Sequence, residues 1–327
     1  MESGRDLRWT QQVVEVRTLA RIGGAASFYS AIERGELVRI CPGIAIPVDL
    51  WRRWDADQRF NALIHAALLR FPDAAPLSHL TATALWRLPM LSAWPGRVET
   101  LVEKTTGGRS RRGLIRHAHG VPGRVVDIDG LAVTTLARTL VDAASVLPFS
   151  GGVAMADQAL RLAASGKSWL VGQVTREELI AESSQPRPPR GRERARRVAL
   201  FADGRSGSPG ESASRTIIEA LGFDAPELQH EFRDGDGLIG YTDFYWKDAG
   251  LIGEFDGLTK YMSPALTKGR TPSEVVIEEK RREDRLRALG PGVTRWTWDD
   301  LRAPQRLAAQ LERAGLTRRR RFSATRD

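Results

Sequence analysis

Asp243 and Glu254 stand on either side of Lys247-Asp248-Ala249-Gly250, a segment with the composition of a tight turn. With those four residues as the loop of a β-hairpin, Trp246 faces Leu251. Counting back in register, Asp243 then faces Glu254. Side chains opposed in this way lie about 5 Å apart on one face of the sheet. Two like charges there repel, and a divalent cation between them removes the cost. The same alternation puts Phe244, Trp246, Leu251 and Phe255 on one strongly apolar face, and Tyr241, Asp243, Ile252, Glu254 and Asp256 on the other. Three carboxylates on one face are costly to bury without partners. Oxygen ligands of this kind suit Mg²⁺, which takes one or two carboxylates with water and substrate phosphate. Such an ion activates water and stabilises charge on a phosphodiester.

Other charged residues could join this set. Glu211, in Gly210-Glu-Ser-Ala-Ser-Arg, falls in the first turn of a helix; it is either a further acid of the site or a helix-start carboxylate paired with Arg215. Lys260 follows Asp256-Gly257 closely and can sit over the same face. In the run Glu278-Glu-Lys-Arg-Arg-Glu-Asp-Arg, most residues read as a solvated, salt-bridged helix surface. Lys280 and Arg285 are the two candidates there for contact with the site or with phosphate. His117 and His119, two apart on an expected strand, lack cysteines or acids at ligand spacing. They are poor metal candidates and are expected to contact phosphate or to serve structure.

The elements that must position these residues are legible in outline. From Pro209 the order reads α-β-β-β-α-β-α: a helix to Leu221, a strand Leu228–Arg233, the hairpin, a helix Ser273–Leu289, a strand Val293–Trp298 and a helix Leu301–Ala314 capped by Asp299 or Asp300. The crossover from the second hairpin strand to Val293–Trp298 can lay two parallel strands side by side. Residues 183–206 combine three prolines with repeated arginines, which reads as a basic linker and helix. Residues 59–182 mix helices and short strands, with Asp129-Gly130 as a hairpin turn and Thr135 as a helix cap. Their basic loop Gly107-Gly-Arg-Ser-Arg-Arg-Gly carries Arg109, Arg111 and Arg112.

Residues 1–58 read as helices, a Gly23-Gly24 turn, a short helix Ala26–Glu33 and two short strands, the pattern of a winged helix-turn-helix. Ser27, Tyr29, Ser30 and Arg34 then lie on or near the recognition helix, and Arg39 on the wing. Residues 316–327 read as a basic tail. The whole is expected to be a multidomain α+β and α/β protein.

The chain has 327 residues and a net charge of +9. The excess lies outside residues 207–327, where basic and acidic residues number 20 each. A basic excess favours polyanions through phosphate, without sequence information. The single cysteine, Cys41, excludes an internal disulfide framework. A polar start and the lack of a long apolar run point to a cytoplasmic protein with no membrane partner.

Glu in a helix, Asp on one strand, Glu-x-Asp-Gly on the next, a Lys/Arg-rich helix and a strand ending Trp-Asp-Asp-Leu together resemble the PD-(D/E)XK nuclease superfamily. The likeness is closest to the branch of very-short-patch-repair endonucleases and covers about residues 191–314. It rests on Gly210-Glu-Ser-Ala-Ser-Arg, Thr242-Asp-Phe, Gly253-Glu-Phe-Asp-Gly, Glu279-Lys-Arg-Arg-Glu-Asp-Arg-Leu-Arg and Arg295-Trp-Thr-Trp-Asp-Asp-Leu. The resemblance implies a restriction-endonuclease-like αβββαβ domain with Mg²⁺ or Mn²⁺ on Asp243 and Glu254, assisted by Glu211, acting on nucleic acid, with double-stranded DNA expected. It also implies a lysine where Asp256 stands. Either Asp256 is a further ligand, or Lys260 or Lys280 supplies the charge, or the site does not cleave.

Residues 1–180 more loosely resemble AbiEi-type antitoxins of bacterial toxin–antitoxin systems, on Gly35-Glu-Leu-Val-Arg-Ile-Cys-Pro-Gly-Ile-Ala and Val133-Thr-Thr-Leu-Ala-Arg-Thr-Leu-Val-Asp. That likeness implies operator binding, transcriptional control and a cognate toxin as partner; a homodimer is also open. The two expectations are therefore a metal-dependent deoxyribonuclease and a non-enzymatic regulator that keeps a nuclease-like domain for binding.

Overall fold

The computed structural model describes residues 13–21, 24–74, 76–106, 109–121, 123–165, 173–186, 188–257 and 272–319. It is a mixed α/β structure with several small sheets. The expected residues Lys260, Gly107 and Gly108, Gly23 of the expected turn, and residues 320–327 of the expected basic tail lie outside the described residues.

The N-terminal region carries β1 (Val14–Glu15), α1 (Val16–Ala20), α2 (Ala25–Glu33), β2 (Leu37–Cys41) and β3 (Ile44–Pro47). The strands form one sheet in the order β1-β3-β2. Helical spacing over Val13–Ala20 predicts helix throughout. Instead Val14 and Glu15 pair antiparallel with Ala45 and Ile44. Tertiary pairing along the exposed edge of β3 overrides the local pattern there. Helices α3 (Val48–Arg53) and α4 (Ala56–Arg70) follow, the latter started by a capping box between Asp55 and Gln58.

The middle region is a helical layer on two short strand pairs. Helix α5 (His79–Leu85) precedes β4 (Val98–Leu101) and β5 (Leu114–His117). These two strands pair parallel, Leu101 opposite His117. Strands β6 (Val125–Ile128) and β7 (Leu131–Thr134) make the Asp129-Gly130 hairpin, with φ of 53° and 80° at the two turn residues. Both values are what a two-residue primed turn requires. The segment before α5 stitches the two pairs together: Leu77 N–H donates to Ala132 O, Ser78 N–H to Glu99 O and Leu101 N–H to Pro76 O. Helices α6 (Leu136–Val146), α7 (Phe149–Ala164), α8 (Arg176–Ser183) and α9 (Arg192–Phe201) close the layer. Thr135 caps α6 by accepting from Arg138 N–H. The basic helix α9 is packed: Ala195, Val198 and Ala199 lie in the same core as Leu140, Val141 and Val153. Its arginines face outward because its apolar residues recur at i, i+3 and i+4.

The C-terminal region runs α10 (Pro209–Ala220), β8 (Glu227–Asp234), β9 (Gly237–Trp246), β10 (Leu251–Phe255), α11 (Pro272–Ala288), β11 (Gly292–Trp296), α12 (Trp298–Arg302) and α13 (Pro304–Arg313). The sheet order is β11-β10-β9-β8. Strands β8, β9 and β10 are antiparallel and β11 joins β10 in parallel, as the crossover through α11 predicts. One sheet face holds Phe244, Trp246, Leu251, Phe255 and Trp296 against α10 and α13. On the other face Ile252, Phe232 and Ile239 meet Leu286 of α11. The final helix is expected to be continuous from Leu301, but it breaks at Ala303 because Pro304 drives the preceding residue out of helical backbone. Its cap is Thr297, with Asp300 closing a capping box, in place of Asp299 or Asp300.

Candidate functional site

The hairpin register is Leu251 opposite Trp246, Ile252 opposite Tyr245 and Gly253 opposite Phe244. The backbone pairing ends there, and Asp243 and Glu254, expected to be paired, come next outward on their strands, on the face away from the Trp246 core. Asp243 Oδ2 accepts from Phe255 N–H at 2.9 Å, and Oδ1 takes a long bond from Gln229 Nε2 at 3.4 Å. Gln229 Nε2 also donates to Glu211 Oε2 at 3.2 Å. Glu211 is buried at the start of α10, where Ser208 caps the helix and Gly207 N–H donates to the Glu211 carboxylate at 2.6 Å. Gln229 thus links Glu211 to Asp243, a role that residue type and spacing did not announce. Arg215 does not pair with Glu211; it pairs with Asp157 of α7 at 2.6 Å.

Glu254 is neutralised by arginine. Arg282 of α11 sits 2.9 Å from Oε1 and Arg295 of β11 sits 3.0 Å from Oε2. Arg295 also holds Glu279 at 2.6 Å and Glu283 at 3.0 Å. Glu254 and its acidic neighbours raise the Arg282 and Arg295 guanidinium pKa values against the opposing effect of burial. A cleft of about 280 Å³ is lined by Tyr241, Asp243, Glu254, Phe255, Asp256, Glu279, Arg282 and Arg295. Among the described residues that line it, none is a lysine.

A divalent cation fits part of this set. Asp243 and Asp256 line the cleft, and the long Gln229 bond to Asp243 Oδ1 is weak enough to give way. Glu254 fits poorly, since each of its oxygens already faces a guanidinium. Among the described residues, the acids do not form a group of three with ligand atoms within 4.8 Å of one another; His79, His117 and His119 do.

The other expected residues scatter. Lys280 is exposed on α11 and is not part of the cleft lining. Arg285 is held by Asp234 through two bonds of 2.8 and 2.6 Å, at the far end of the β8–β9 hairpin. It is thereby removed from the cleft. Ser27 and Tyr29 are exposed on α2, and Ser30 is partly covered. Arg39 of β2 lies over the Tyr29 ring at 5.9 Å, joining helix and strand hairpin into one surface. Arg34 is exposed but tied to Glu36 at 2.7 Å. Arg109, Arg111 and Arg112 are exposed, with Arg111 5.9 Å from the Phe71 ring.

Over 202 residues the chain is 31% identical to "Uncharacterized protein Rv2248" of Mycobacterium tuberculosis strain ATCC 25618 / H37Rv, an alignment covering 62% of this chain and 68% of that one. The chain belongs to the Rv2248 family. "Uncharacterized protein MT2308" of strain CDC 1551 / Oshkosh matches at the same identity and coverage as Rv2248. No family model and no solved structure matches the chain. Among the described residues, no helix is long and apolar enough to cross a bilayer.

Proposed function

We propose that this Rv2248-family protein binds nucleic acid and carries, in residues 207–315, a Mg²⁺-dependent phosphodiester-hydrolysing site of the PD-(D/E)XK kind. What carries this is the convergence of Asp243, Asp256, Arg282 and Arg295 on one cleft beside the linked pair Glu211–Gln229. Asp243 and Asp256 would hold the ion, with Glu211 orienting Asp243 through Gln229. A bound Mg²⁺ supplies Lewis-acid polarisation of a phosphate and a water of lowered pKa. Glu254 holds Arg282 and Arg295 in place rather than serving as a ligand. Those two guanidiniums take the part that the resemblance assigns to a lysine, meeting the charge that develops on phosphate. The α2–β2 surface with Tyr29 and Arg39, together with Arg109, Arg111 and Arg112, positions duplex DNA by its backbone.

The test is calorimetric titration of the protein with Mg²⁺ or Mn²⁺, alongside nicking of supercoiled plasmid. Wild type is expected to bind the ion and nick, and Asp243→Asn to lose both while binding DNA as before. Absence of cleavage of single- and double-stranded DNA with either ion overturns the enzymatic reading.

A second reading, a non-enzymatic regulator or antitoxin whose nuclease-like domain only binds, is favoured by one observation: both oxygens of Glu254 are paired with arginines. Specific binding to its own promoter, with no metal-dependent cleavage, is its expected signature.

A further inference from the structure

His79 lies nearly forty residues before His117 and His119, yet the fold brings the three together. His79 opens α5 directly after the segment that stitches β4 to β7. His117 ends β5, and His119 follows two residues on. The His79 and His117 rings stack with centroids 3.8 Å apart, and His119 lies 5.8 and 5.4 Å from them. One ring nitrogen from each of the three lies within 4.8 Å of the other two.

We infer that His79, His117 and His119 form a Zn²⁺ site, with Glu99 as its supporting carboxylate. Imidazole nitrogens are the ligands Zn²⁺ favours, and three of them leave a fourth position for water. Metal-binding histidines almost always give their second ring nitrogen to a carboxylate, carbonyl or water, which fixes the tautomer. That support is present. Glu99, buried on β4, lies 3.2 Å from His117 Nε2. A carboxylate only accepts, so Nε2 carries the proton and Nδ1 keeps its lone pair. The second Glu99 oxygen accepts from Leu80 N–H at 2.9 Å, which fixes the carboxylate. On His79, Nδ1 is 3.0 Å from Ser78 Oγ; with Nδ1 donating, Nε2 keeps its lone pair.

The backbone at His79 is left-handed, with φ of 49°. Non-glycine residues held there cost on the order of 1–3 kcal/mol and cluster at functional sites. Tetrahedral Zn–N bonds of about 2.0–2.1 Å require the nitrogens to approach. His117 and His119 are only partly covered, at a strand end.

The experiment uses the full chain without a polyhistidine tag, stripped with chelator and titrated calorimetrically with ZnCl₂. Wild type and Asp243→Asn are each expected to bind one equivalent at this site. His119→Ala is expected to lose it. Glu99→Gln is expected to weaken it about 10–100-fold. Co²⁺ in place of zinc is expected to give the intense visible bands of four- or five-coordination in wild type and not in His119→Ala. His119→Gln, nearer in volume, repeats the test should the alanine variant fail to fold by circular dichroism. Equal zinc binding by wild type and folded His119 variants, no saturable binding by wild type, or binding lost only in Asp243→Asn overturns the inference.

Discussion

At the scale of single residues, Asp243 and Glu254 hold different partners among the described residues. Asp243 accepts from a backbone N–H and, at 3.4 Å, from Gln229, both compatible with metal ligation. Glu254 is charge-paired on both oxygens. The two positions should therefore respond differently to loss of charge. Glu254→Gln is expected to change divalent-ion affinity less than tenfold, whereas Asp243→Asn removes it. Glu254→Gln should also release Arg282 and Arg295 for phosphate. DNA binding then strengthens, and the slope of log K against log salt steepens by about 0.9 for each additional phosphate neutralised. Fluorescence anisotropy at several salt concentrations measures this; an unchanged slope shows that the arginines do not meet phosphate.

Between elements, glycine decides how closely α10 approaches the sheet. A Cβ on Gly210 would overlap the Phe255 ring, and one on Gly253 would lie 2.5 Å from the Trp296 ring. The approach at Gly210, the one between α10 and the sheet, places Glu211 near Gln229 and Asp243. Gly210→Ala is expected to destabilise by about 1–3 kcal/mol through overpacking. It should also push α10 outward, weakening metal binding without touching any ligand. Urea unfolding and metal titration of the same variant check both parts. A stable variant with normal metal affinity contradicts this placement of α10.

Across the whole molecule, α7 and α10 join the middle and C-terminal regions through a buried ion pair. Asp157 receives Arg215 at 2.6 Å, Ser212 Oγ at 2.8 Å and Asp203 N–H at 2.7 Å. Arg215→Ala leaves that carboxylate buried and short of its cation, an effect of about 3–5 kcal/mol measurable by urea denaturation. Burial also raises the Asp157 pKa to about 6, against the pull of Arg215. The folded carboxyl then keeps its proton over a window, about pH 4 to 6, where the unfolded one has released it. Native protein binds more protons there, so this group favours the fold at the acid end. Its contribution is lost as the pH rises through about 6. Urea midpoints across that window should show the decline in wild type and lack it in Asp157→Asn.

Local sequence determined most of the C-terminal architecture. Strict alternation across a four-residue turn specifies the β9–β10 register, since a slip of one residue would carry Trp246 and Leu251 out of the core. Capping and breaking residues mark α6 and α10. The edge pairing of Val14–Glu15 was not legible, because it depends on β3 and not on local period. Nor were the arginines on Glu254, which come from α11 and β11, or the link through Gln229, a residue type that fits any polar surface. The histidine cluster shows the division most clearly. His117 and His119 alone, two apart on a strand, carry no metal signal. The chain's path through Pro76–Ser78, between β4 and β7, delivers His79 to them, and the parallel pairing of β4 with β5 delivers Glu99. Sequence spacing determines which residues share a strand or helix face, because that geometry is local; which faces meet is decided by packing of the whole chain.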